Sequence, residues 1–483
     1  MADTDSSSGP RARRGDLLER LVLFHFGSLL IFTTWAFGGQ APWVRQGIAL
    51  WGSVGVALFA AACWTRGRAA GERSWPALRY LWPLWLYDVL VIVSCFNPSF
   101  REVVVAGERM LVEGYPKPWL PSAARPLLAW KELWQFNVIV LSCFNLFLVL
   151  PGRRFVRTVL FLMAGNAVVL AVFGSFQKLA GAKGLWFGLV ASPNPRFFST
   201  FIYYNHWGAF ALLNTAICLG LLFYAYRRGG QRDLWHSPVL LGVVVTLLLA
   251  ATAPFSASRS STMLVGLLLL GALVHFLLRL VRKRREQRAP VLMPVASIVL
   301  AALVAFGGVA YLGRRAIAER MHQTTAQLAP EARAATFGSR LQLYKDTWRM
   351  ASERPAFGWG LESYAHVFRV FNTQRARELW VWIPFYAEAH NDWLQSLAET
   401  GFVGTGLLVL LGLGPLLAVP WRRVESLMPR YLLAGCALVL LYAWVEFPFA
   451  NPAVMLTFFA TFYCALRYAV LELRAQAEES RRP

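Results

Sequence analysis

The 483-residue chain has few charged side chains, and acidic ones are the scarcest. Only 15% of its residues are charged, whereas a soluble domain carries about 25%. The chain has 26 acidic against 48 basic residues, and 57% of its residues are hydrophobic. This composition argues against a soluble protein. The basic residues lie in short runs between apolar segments, which indicates membrane topology rather than nucleic-acid binding.

The cysteines lack the spacing of a metal site or of a disulfide framework. All six lie within apolar stretches, and no two of them form a CxxC pair. We therefore expect them to be small buried residues. The histidines His366 and His390 do not have metal-ligand spacing either. The sequence predicts neither a bound metal nor another cofactor.

Apolar runs predict an all-α polytopic membrane protein with about twelve transmembrane helices. Most runs reach the roughly 20 residues that a helix needs to cross about 30 Å of hydrocarbon. A polar, basic stretch precedes the first run and no small-residue cleavage site follows it, which indicates a signal anchor. The predicted spans are 21–37, 43–63, 78–96, 132–150, 155–177, 203–226, 237–254, 262–280, 291–312, 391–419, 430–447 and 452–470.

The distribution of basic residues predicts that both termini are cytoplasmic. In that orientation the cytoplasmic segments carry 27 of the 48 Lys and Arg residues, against 10 in the short outer loops. This bias fits the positive-inside rule, which discounts long translocated loops. The basic run 279–288 is then a topological signal, although lipid or nucleic-acid binding is an alternative. We expect a multi-pass protein of the bacterial inner membrane.

The spans divide the chain into five parts. A cytoplasmic tail, 1–20, precedes nine helices in 21–312, which include an outer loop at 97–131. A large periplasmic loop, 313–389, is followed by three helices in 390–470 and a second tail, 471–483. Two short helices, 339–352 and 361–371, are predicted within the large loop. A structured loop of this length usually serves the function.

Three arginines lie on the outer side of this topology, against the orientation rule. Arg259 stands in the tight turn FSASRSSTML, Arg196 precedes the sixth span, and Arg340 opens a loop helix. A charge near hydrocarbon costs about 2.5–3.5 kcal/mol even on the lenient insertion scale. A shared anion such as phosphate, gripped by guanidinium forks, explains all three. The alternative is that each reaches the membrane surface or pairs with a loop carboxylate.

His390 stands where the large loop returns to the membrane. An imidazole there can accept a proton from an attacking hydroxyl. Asn391, Gln395 and Glu399 follow within three turns and are positioned to orient it. A satisfied core histidine is the alternative, and for His25, inside an apolar span, it is the preferred interpretation.

Four segments resemble the bacterial O-antigen ligase and O-antigen polymerase superfamily. STFIYYNHWGAF is similar to the family's G-T-F-x-N-x-N-H-x-A stretch, and SRSS to its S-R-G/S turn. SRLQLYKDTWRMASERPAFGWGLESY resembles its R-x-x-x-W…P-x-x-G-x-G segment, and AHNDWLQSLAETGFVG its H-N-x-x-L-x-x-x-x-E-x-G motif. The order and placement of the four are specific, and the resemblance covers roughly residues 20–470. Serines at 199, 260 and 261 depart from glycines common in the family.

The resemblance implies a metal-independent, inverting glycosyltransferase that takes glycans from an undecaprenyl-diphosphate carrier at the outer face. Carried over to this chain, Arg196 and Arg259 hold the diphosphate and Arg340 assists them. His390 is the base that activates the acceptor hydroxyl. Further substrate-binding residues implied by the motifs are Asn205, His206, Asn391 and Glu399. The acceptor is a growing glycan, a lipid A core or a protein hydroxyl, and these three alternatives share the motifs.

Two other functional classes compete with the enzyme. A transporter or flippase of lipid-linked sugar should show paired repeats and helices interrupted near the midplane, and neither is found in the sequence. A scaffold protein does not explain arginines and a histidine on one face beside a large loop. The enzyme is the preferred hypothesis.

Overall fold

The computed structural model describes residues 10–69, 78–105, 108–228, 238–312, 330–373 and 385–481. These residues form fourteen α-helices, one β-hairpin and several short 3₁₀ turns. The helices are α1 Pro10–Trp35, α2 Pro42–Ala69, α3 Trp82–Cys95, α4 Pro126–Val149, α5 Arg153–Leu179, α6 Tyr204–Arg228, α7 Pro238–Phe255, α8 Arg259–Glu286, α9 Leu292–Leu312, α10 Pro330–Glu353, α11 Tyr364–Phe371, α12 Asp392–Leu417, α13 Leu427–Tyr442 and α14 Pro452–Glu479. The strands are β1 Phe100–Val105 and β2 Glu108–Glu113.

Each of the twelve predicted spans coincides with a helix. Within the described residues, nine helices are long and apolar enough to cross a membrane, namely α1, α2, α4–α8, α12 and α14. Of the remaining three, α3 has 14 residues, α13 has 16 and α9 has 21. The prediction of an all-α polytopic membrane protein is confirmed. The predicted orientation of the termini stays a prediction.

Helices α4, α6 and α14 form the centre of the bundle and are the most deeply buried of the long helices. Some of their buried polar side chains bond to their own helix. Asn214 donates to the Phe210 carbonyl at 2.9 Å and Thr457 to the Ala453 carbonyl at 2.7 Å. Such local bonds satisfy polar groups where neither lipid nor water can do so.

The outer loop predicted at 97–131 contains a hairpin that the sequence reasoning missed. Strands β1 and β2 pair antiparallel, with Phe100 opposite Glu113. Helix α4 begins at Pro126, because proline suits the first turn of a helix. The loop does not lie alone, since the Ala124 N–H donates to the Trp359 carbonyl at 2.9 Å. The smaller outer loop is therefore bonded to the large one.

The two helices predicted in the large loop are confirmed. They correspond to α10, which begins at Pro330, and to α11. Parts of the predicted loop, 313–329 and 374–384, lie outside the described residues. A cluster of buried aromatic side chains, including Trp359, Tyr364 and Phe368, packs α11 against α10 and the start of α12.

Between α10 and α11, residues 355–360 are inserted into a break in α12. In a regular helix the N–H groups of Phe402 and Val403 would bond to the carbonyls of residues 398 and 399. Here they bond instead to the carbonyls of Pro355 and Ala356, at 2.8 and 3.1 Å. The vacated carbonyls of residues 398 and 399 accept from the Trp359 and Gly360 N–H groups, at 2.9 and 2.8 Å. We call this arrangement the splice.

Glycines permit the close approach of the two backbones at the splice. Gly401 has φ 65° and ψ −171°, a conformation open essentially to glycine alone. A Cβ on Gly401 would lie 2.4 Å from the Ala356 carbonyl carbon. A Cβ on Gly358 would lie 2.4 Å from the Glu399 carbonyl carbon. The glycines of the loop motif therefore serve backbone contact rather than flexibility.

The splice is a helix interruption that the sequence did not show, because residues 398–403 read as part of a continuous helix. The four backbone groups freed by the break are all bonded to the loop. Broken helices in transporters use such groups to coordinate substrate or ions. Here the loop satisfies them, so the break itself gives no support to transport.

We predict that Gly401→Ala destabilises the protein by about 2–4 kcal/mol, through strain at positive φ and overlap with residue 356. Thermal unfolding in detergent measures the effect, and limited proteolysis should detect release of residues 355–360. Gly406→Ala is the matched control on the same helix, because a Cβ there meets nothing within 4 Å. It should change stability by less than about 1 kcal/mol. Equal stability of the two variants would contradict the proposed importance of the splice.

Candidate active site

The segment between α13 and α14, residues 443–451, is the point where the candidate residues converge. Its backbone is held from two sides. The Asp392 carboxylate accepts from the Phe449 N–H at 3.0 Å, and the Ala443 carbonyl accepts from the Asp392 N–H at 2.9 Å. Asn451 then caps α14 by accepting from the Val454 N–H at 3.1 Å. The segment is thereby fixed against the start of α12.

Glu446 on this segment is buried, with 4% of its surface exposed, and it joins two of the predicted site residues. Its Oε1 pairs with Arg340 Nη2 at 3.2 Å, and its Oε2 lies 3.4 Å from His390 Nδ1. The Tyr203 hydroxyl also donates to Oε2 at 3.4 Å. Burial alone would raise the pKa of Glu446, but the His390 hydrogen bond and the Arg340 charge outweigh it and lower the pKa. The carboxylate is therefore ionised at neutral pH.

Sequence reasoning did not single out Glu446, although a signal was available. It is the only acidic residue between Ser426 and Leu471, in an otherwise apolar region. An ionisable residue within membrane helices or at their ends is a functional candidate by default.

His390 lies just before α12 in a strained conformation. Its φ of 52° is in the left-handed region, which non-glycine residues seldom adopt. The Tyr344 hydroxyl donates to its carbonyl at 2.9 Å, and its ring packs edge-on against Phe447 at 4.8 Å between centroids. The side chain remains 28% exposed. It is therefore held in place and still open to a substrate.

Arg340 keeps its positive charge in this position. Burial lowers the pKa of its guanidinium, but the Glu446 carboxylate more than compensates and the pKa is raised. The side chain is 47% exposed, so one edge of the guanidinium faces Glu446 while much of the group stays accessible. It is available for a further anion.

The predicted residues Asn205 and His206 reach the same segment from the start of α6. His206 Nε2 lies 3.2 Å from the Phe447 carbonyl, and the Asn205 carbonyl accepts from the Tyr442 hydroxyl at 3.4 Å. The Asn205 amide also donates to the Tyr203 hydroxyl at 2.8 Å, and the Tyr203 ring stacks on Phe447. Both residues are buried. Their contacts support a role in holding Tyr203 and residues 443–451, and direct contact with substrate stays a prediction.

Arg196 and Arg259 have exposed side chains at the edge of this group. The Arg196 carbonyl accepts from the Tyr204 N–H at 3.2 Å, which places its backbone beside the start of α6. Arg259 begins α8, directly after Ser258, whose hydroxyl lies 3.2 Å from the Tyr442 hydroxyl. The structure thus brings His390 and Arg340 together at Glu446. It places the backbones of Arg196 and Arg259 beside residues that contact this site. That the three arginines bind one ligand stays a prediction.

Two of the three serines that depart from the family pattern, Ser199 and Ser261, have structural explanations. Ser199 has φ 55°, which explains why glycine suits this position, and its hydroxyl donates to the Leu170 carbonyl at 2.9 Å. Ser261 packs against α6 where Gly208 has no side chain, since a Cβ there would lie 2.3 Å from the Ser261 Oγ. The serines therefore preserve the turn and the approach of α8 to α6.

Asn391 and Glu399 make structural contacts. Asn391 caps α12 by accepting from the Leu394 N–H at 3.0 Å. The buried Glu399 carboxylate accepts from the Tyr364 N–H at 3.0 Å, which ties α11 to α12 beside the splice. These contacts position His390 and the loop. A direct contact of either residue with substrate stays a prediction.

A second group of carboxylates consists of Glu132, Glu362 and Glu388, which interact with one another, and Glu388 lies two residues before His390. Arg45 pairs with Glu132 at 2.8 Å, and the Gln395 amide donates to Glu388 at 2.7 Å. Burial raises the pKa of Glu388 to about 7, and the Glu362 charge adds to this effect. Burial and the Glu132 charge likewise raise the pKa of Glu362 to about 7. Both groups are therefore partly protonated at neutral pH, in contrast to Glu446.

In the part of the chain that the structure describes, no three or more His, Cys, Asp or Glu side chains are grouped so that they could hold a metal ion. The predictions that neither a metal nor another cofactor is used stay predictions.

A comparison with protein families finds a similarity over part of the chain. The model of the family described as O-antigen ligase matches residues 244–409, about a third of the chain. The matched range contains Arg259, Arg340 and His390, and it ends within α12. The resemblance to the O-antigen ligase and polymerase superfamily is confirmed over this range, and the match supports a membrane enzyme of that type. No curated protein matches the chain.

We predict that Glu388→Gln stabilises the protein at high pH. A carboxyl group whose pKa is raised on folding stabilises the fold while protonated, and this stability is lost as the pH rises from about 4.5 through about 7. The glutamine amide cannot ionise, so the variant does not lose this stability as the pH rises. Relative to wild type it should be more stable by about 1–3 kcal/mol at pH 8, with little difference at pH 4. Thermal unfolding between pH 4 and 8 measures it. The exposed Glu425→Gln is the control, and parallel curves for wild type and Glu388→Gln would contradict the prediction.

Proposed function

We propose that the protein transfers an oligo- or polysaccharide from an undecaprenyl-diphosphate carrier to an acceptor hydroxyl at the periplasmic face of the bacterial inner membrane. The observation that carries this proposal is the meeting of Arg340 and His390 at Glu446, with both within the O-antigen ligase match. A fixed cation and a proton acceptor at one point are what such a transfer needs.

The arginines act on the leaving group. As the glycosidic bond breaks, negative charge grows on the diphosphate oxygens, and fixed cations in a poorly hydrated site stabilise it most. Arg340 is already oriented by Glu446, and Arg196 and Arg259 lie exposed at the edge of the site. Guanidinium forks match phosphate oxygens and keep their charge at any working pH. These residues supply positive charge that a divalent cation supplies in other diphosphate-releasing transfers.

His390 acts on the acceptor. The acceptor oxygen attacks the anomeric carbon, the bond from that carbon to the diphosphate oxygen breaks, and the hydroxyl proton passes to the imidazole. One displacement of this kind inverts the anomeric centre. A positioned base contributes about 10²–10⁴-fold to the rate. The acceptor is a hydroxyl of a glycan, a lipid A core or a protein side chain.

The periplasmic location rests on the charge distribution of the sequence. With both termini cytoplasmic, the loops that carry Arg196, Arg259, Arg340 and His390 all lie outside, where a lipid-linked glycan is exposed after it crosses the membrane. Transport of lipid-linked sugar is the second candidate function. It predicts movement of the lipid without formation of a new glycosidic bond.

An assay with purified protein in nanodiscs tests the proposal directly. Undecaprenyl-diphosphate oligosaccharide is supplied with candidate acceptors, and the products are separated by size. Single additions to lipid A core or to protein identify a ligase, and ladders identify a polymerase. Flipping of the lipid without any transfer would replace this proposal by the transporter.

We predict that His390→Ala lowers the rate of transfer by about 10²–10⁴-fold while the protein still inserts and folds, because the acceptor loses its base. Transfer in nanodiscs and thermal unfolding measure the two properties. His366→Ala, on α11 in the same loop, is the control and should retain most activity. Wild-type transfer by His390→Ala would remove the base assignment.

We predict that Arg259→Lys lowers the rate at least about tenfold, because an ammonium cannot reproduce the two-pronged contact with phosphate oxygens. The same transfer assay measures it at saturating acceptor. Arg284→Lys, within the basic end of α8, is the matched control and should be close to wild type. Activity of Arg259→Lys within about twofold of wild type would count against diphosphate binding there.

A further inference from the structure

We propose that Glu446 is a positioning residue that holds the Nδ1–H of His390, so that Nε2 is left as the proton acceptor for the incoming hydroxyl. This inference rests on the proposed function. It assigns a role to a residue outside the matched O-antigen ligase range, on the segment that joins the last two helices.

The partners of Glu446 set it apart from the other buried carboxylates. Among the described residues, four Asp or Glu side chains are more than nine-tenths buried: Asp346, Glu399, Glu446 and Glu472. Three of them accept hydrogen bonds from main-chain N–H groups, of Thr373, Tyr364 and Glu425 respectively. The recorded contacts of Glu446 are with side chains alone, of Tyr203, Arg340 and His390.

This difference indicates that Glu446 serves the candidate site rather than the stability of the fold. The backbone of residues 443–451 is already held by Asp392 and Asn451, so it does not need Glu446. A buried carboxylate is expensive unless several partners satisfy it. Its retention at the junction of α6, α10 and α12 is explained by what it does to those side chains.

The contact fixes which imidazole nitrogen carries the proton. An ionised carboxylate can only accept hydrogen bonds, so the nitrogen that faces it, Nδ1, must be the donor. In the neutral ring the lone pair then lies on Nε2. When Nε2 takes up a proton from the acceptor, the imidazolium formed lies beside a negative charge. The distance of 3.4 Å is long for the neutral pair and should shorten as this charge develops.

The other carboxylate oxygen of Glu446 positions the guanidinium of Arg340 in the same way. Oε1 holds Arg340 at 3.2 Å while Oε2 holds His390. One carboxylate therefore sets the spacing between the base and a residue proposed to bind the diphosphate. Other ionisable groups interact with Glu446 or lie within two residues of His390 in the chain, and they enter the pH response of the imidazole. They are Tyr203 just before α6, His206 at the start of α6, Arg340 and Tyr344 on α10, Tyr442 at the end of α13, and Glu388 and Asp392 in the adjoining chain.

The first test does not depend on catalysis. Diethyl pyrocarbonate modifies only the unprotonated imidazole, and mass spectrometry of the peptide that contains His390 gives the midpoint pH of its modification. A neighbouring carboxylate favours the imidazolium, so Glu446→Gln should move this midpoint down by about 0.5–1 pH unit. The uncompensated charge of Arg340 acts in the same direction. Glu446→Asp, which keeps the charge, should recover part of the difference.

The second test measures how the pH dependence of kcat changes in the transfer assay. In Glu446→Gln the acid limb of the kcat profile should move to lower pH, and kcat should fall about tenfold or more with a smaller change in KM. Asp346→Asn is the matched control, since it alters a buried carboxylate bonded to the Thr373 N–H. It should leave both midpoints where they are in wild type, whatever it does to stability.

The outcomes separate the two proposals. An unchanged modification midpoint in folded Glu446→Gln overturns the positioning role, as does loss of activity with an unmoved acid limb. A shifted midpoint in a protein whose wild type forms no glycosidic bond supports the His390–Glu446 contact and overturns the proposed function instead.

Discussion

A single ionised carboxylate, buried at one end of the helical bundle, sets the arrangement of the candidate site. Removing a charge from water costs several kcal/mol, so Glu446 is tolerated only with partners that repay the loss of hydration. Those partners come from parts of the chain that are far apart in sequence: Tyr203 before α6, Arg340 on α10 and His390 before α12. Their convergence is therefore an electrostatic requirement, and the same requirement places an imidazole beside a guanidinium.

Glu446, Glu362 and Glu388 illustrate how the surroundings of a glutamate decide its charge at neutral pH. Glu446 meets a cation and an imidazole, and its pKa is lowered. Glu362 and Glu388 are also removed from water, but their carboxylate neighbours add to the effect and raise the pKa of each to about 7. One group is permanently charged at neutral pH, whereas the other exchanges protons there.

The sequence was sufficient for the membrane helices because long apolar runs have few alternatives in a bilayer. It also singled out His390 and Arg340 as candidates, since polar residues on the outer side of the spans are expensive and therefore informative. The hairpin at 100–113 was missed because its short strands lie in a loop rich in proline and tryptophan. Glu446 was missed because its partners are distant in sequence, and only the fold brings them to it. The break at Gly401 could not be predicted because the residues on both sides of it have the pattern of an ordinary helix.

The splice has a consequence for how the enzyme can be rebuilt. Residues 392–400, directly after His390, are separated from the rest of α12 by the break and are bonded across it to residues 359 and 360. Mechanically, this short stretch belongs with the large loop rather than with the membrane helix that follows. A chimera that exchanges the large loop between relatives should therefore carry its boundary past residue 403. A boundary at the apparent membrane edge would pair each half of the joint with a foreign counterpart and misplace the imidazole.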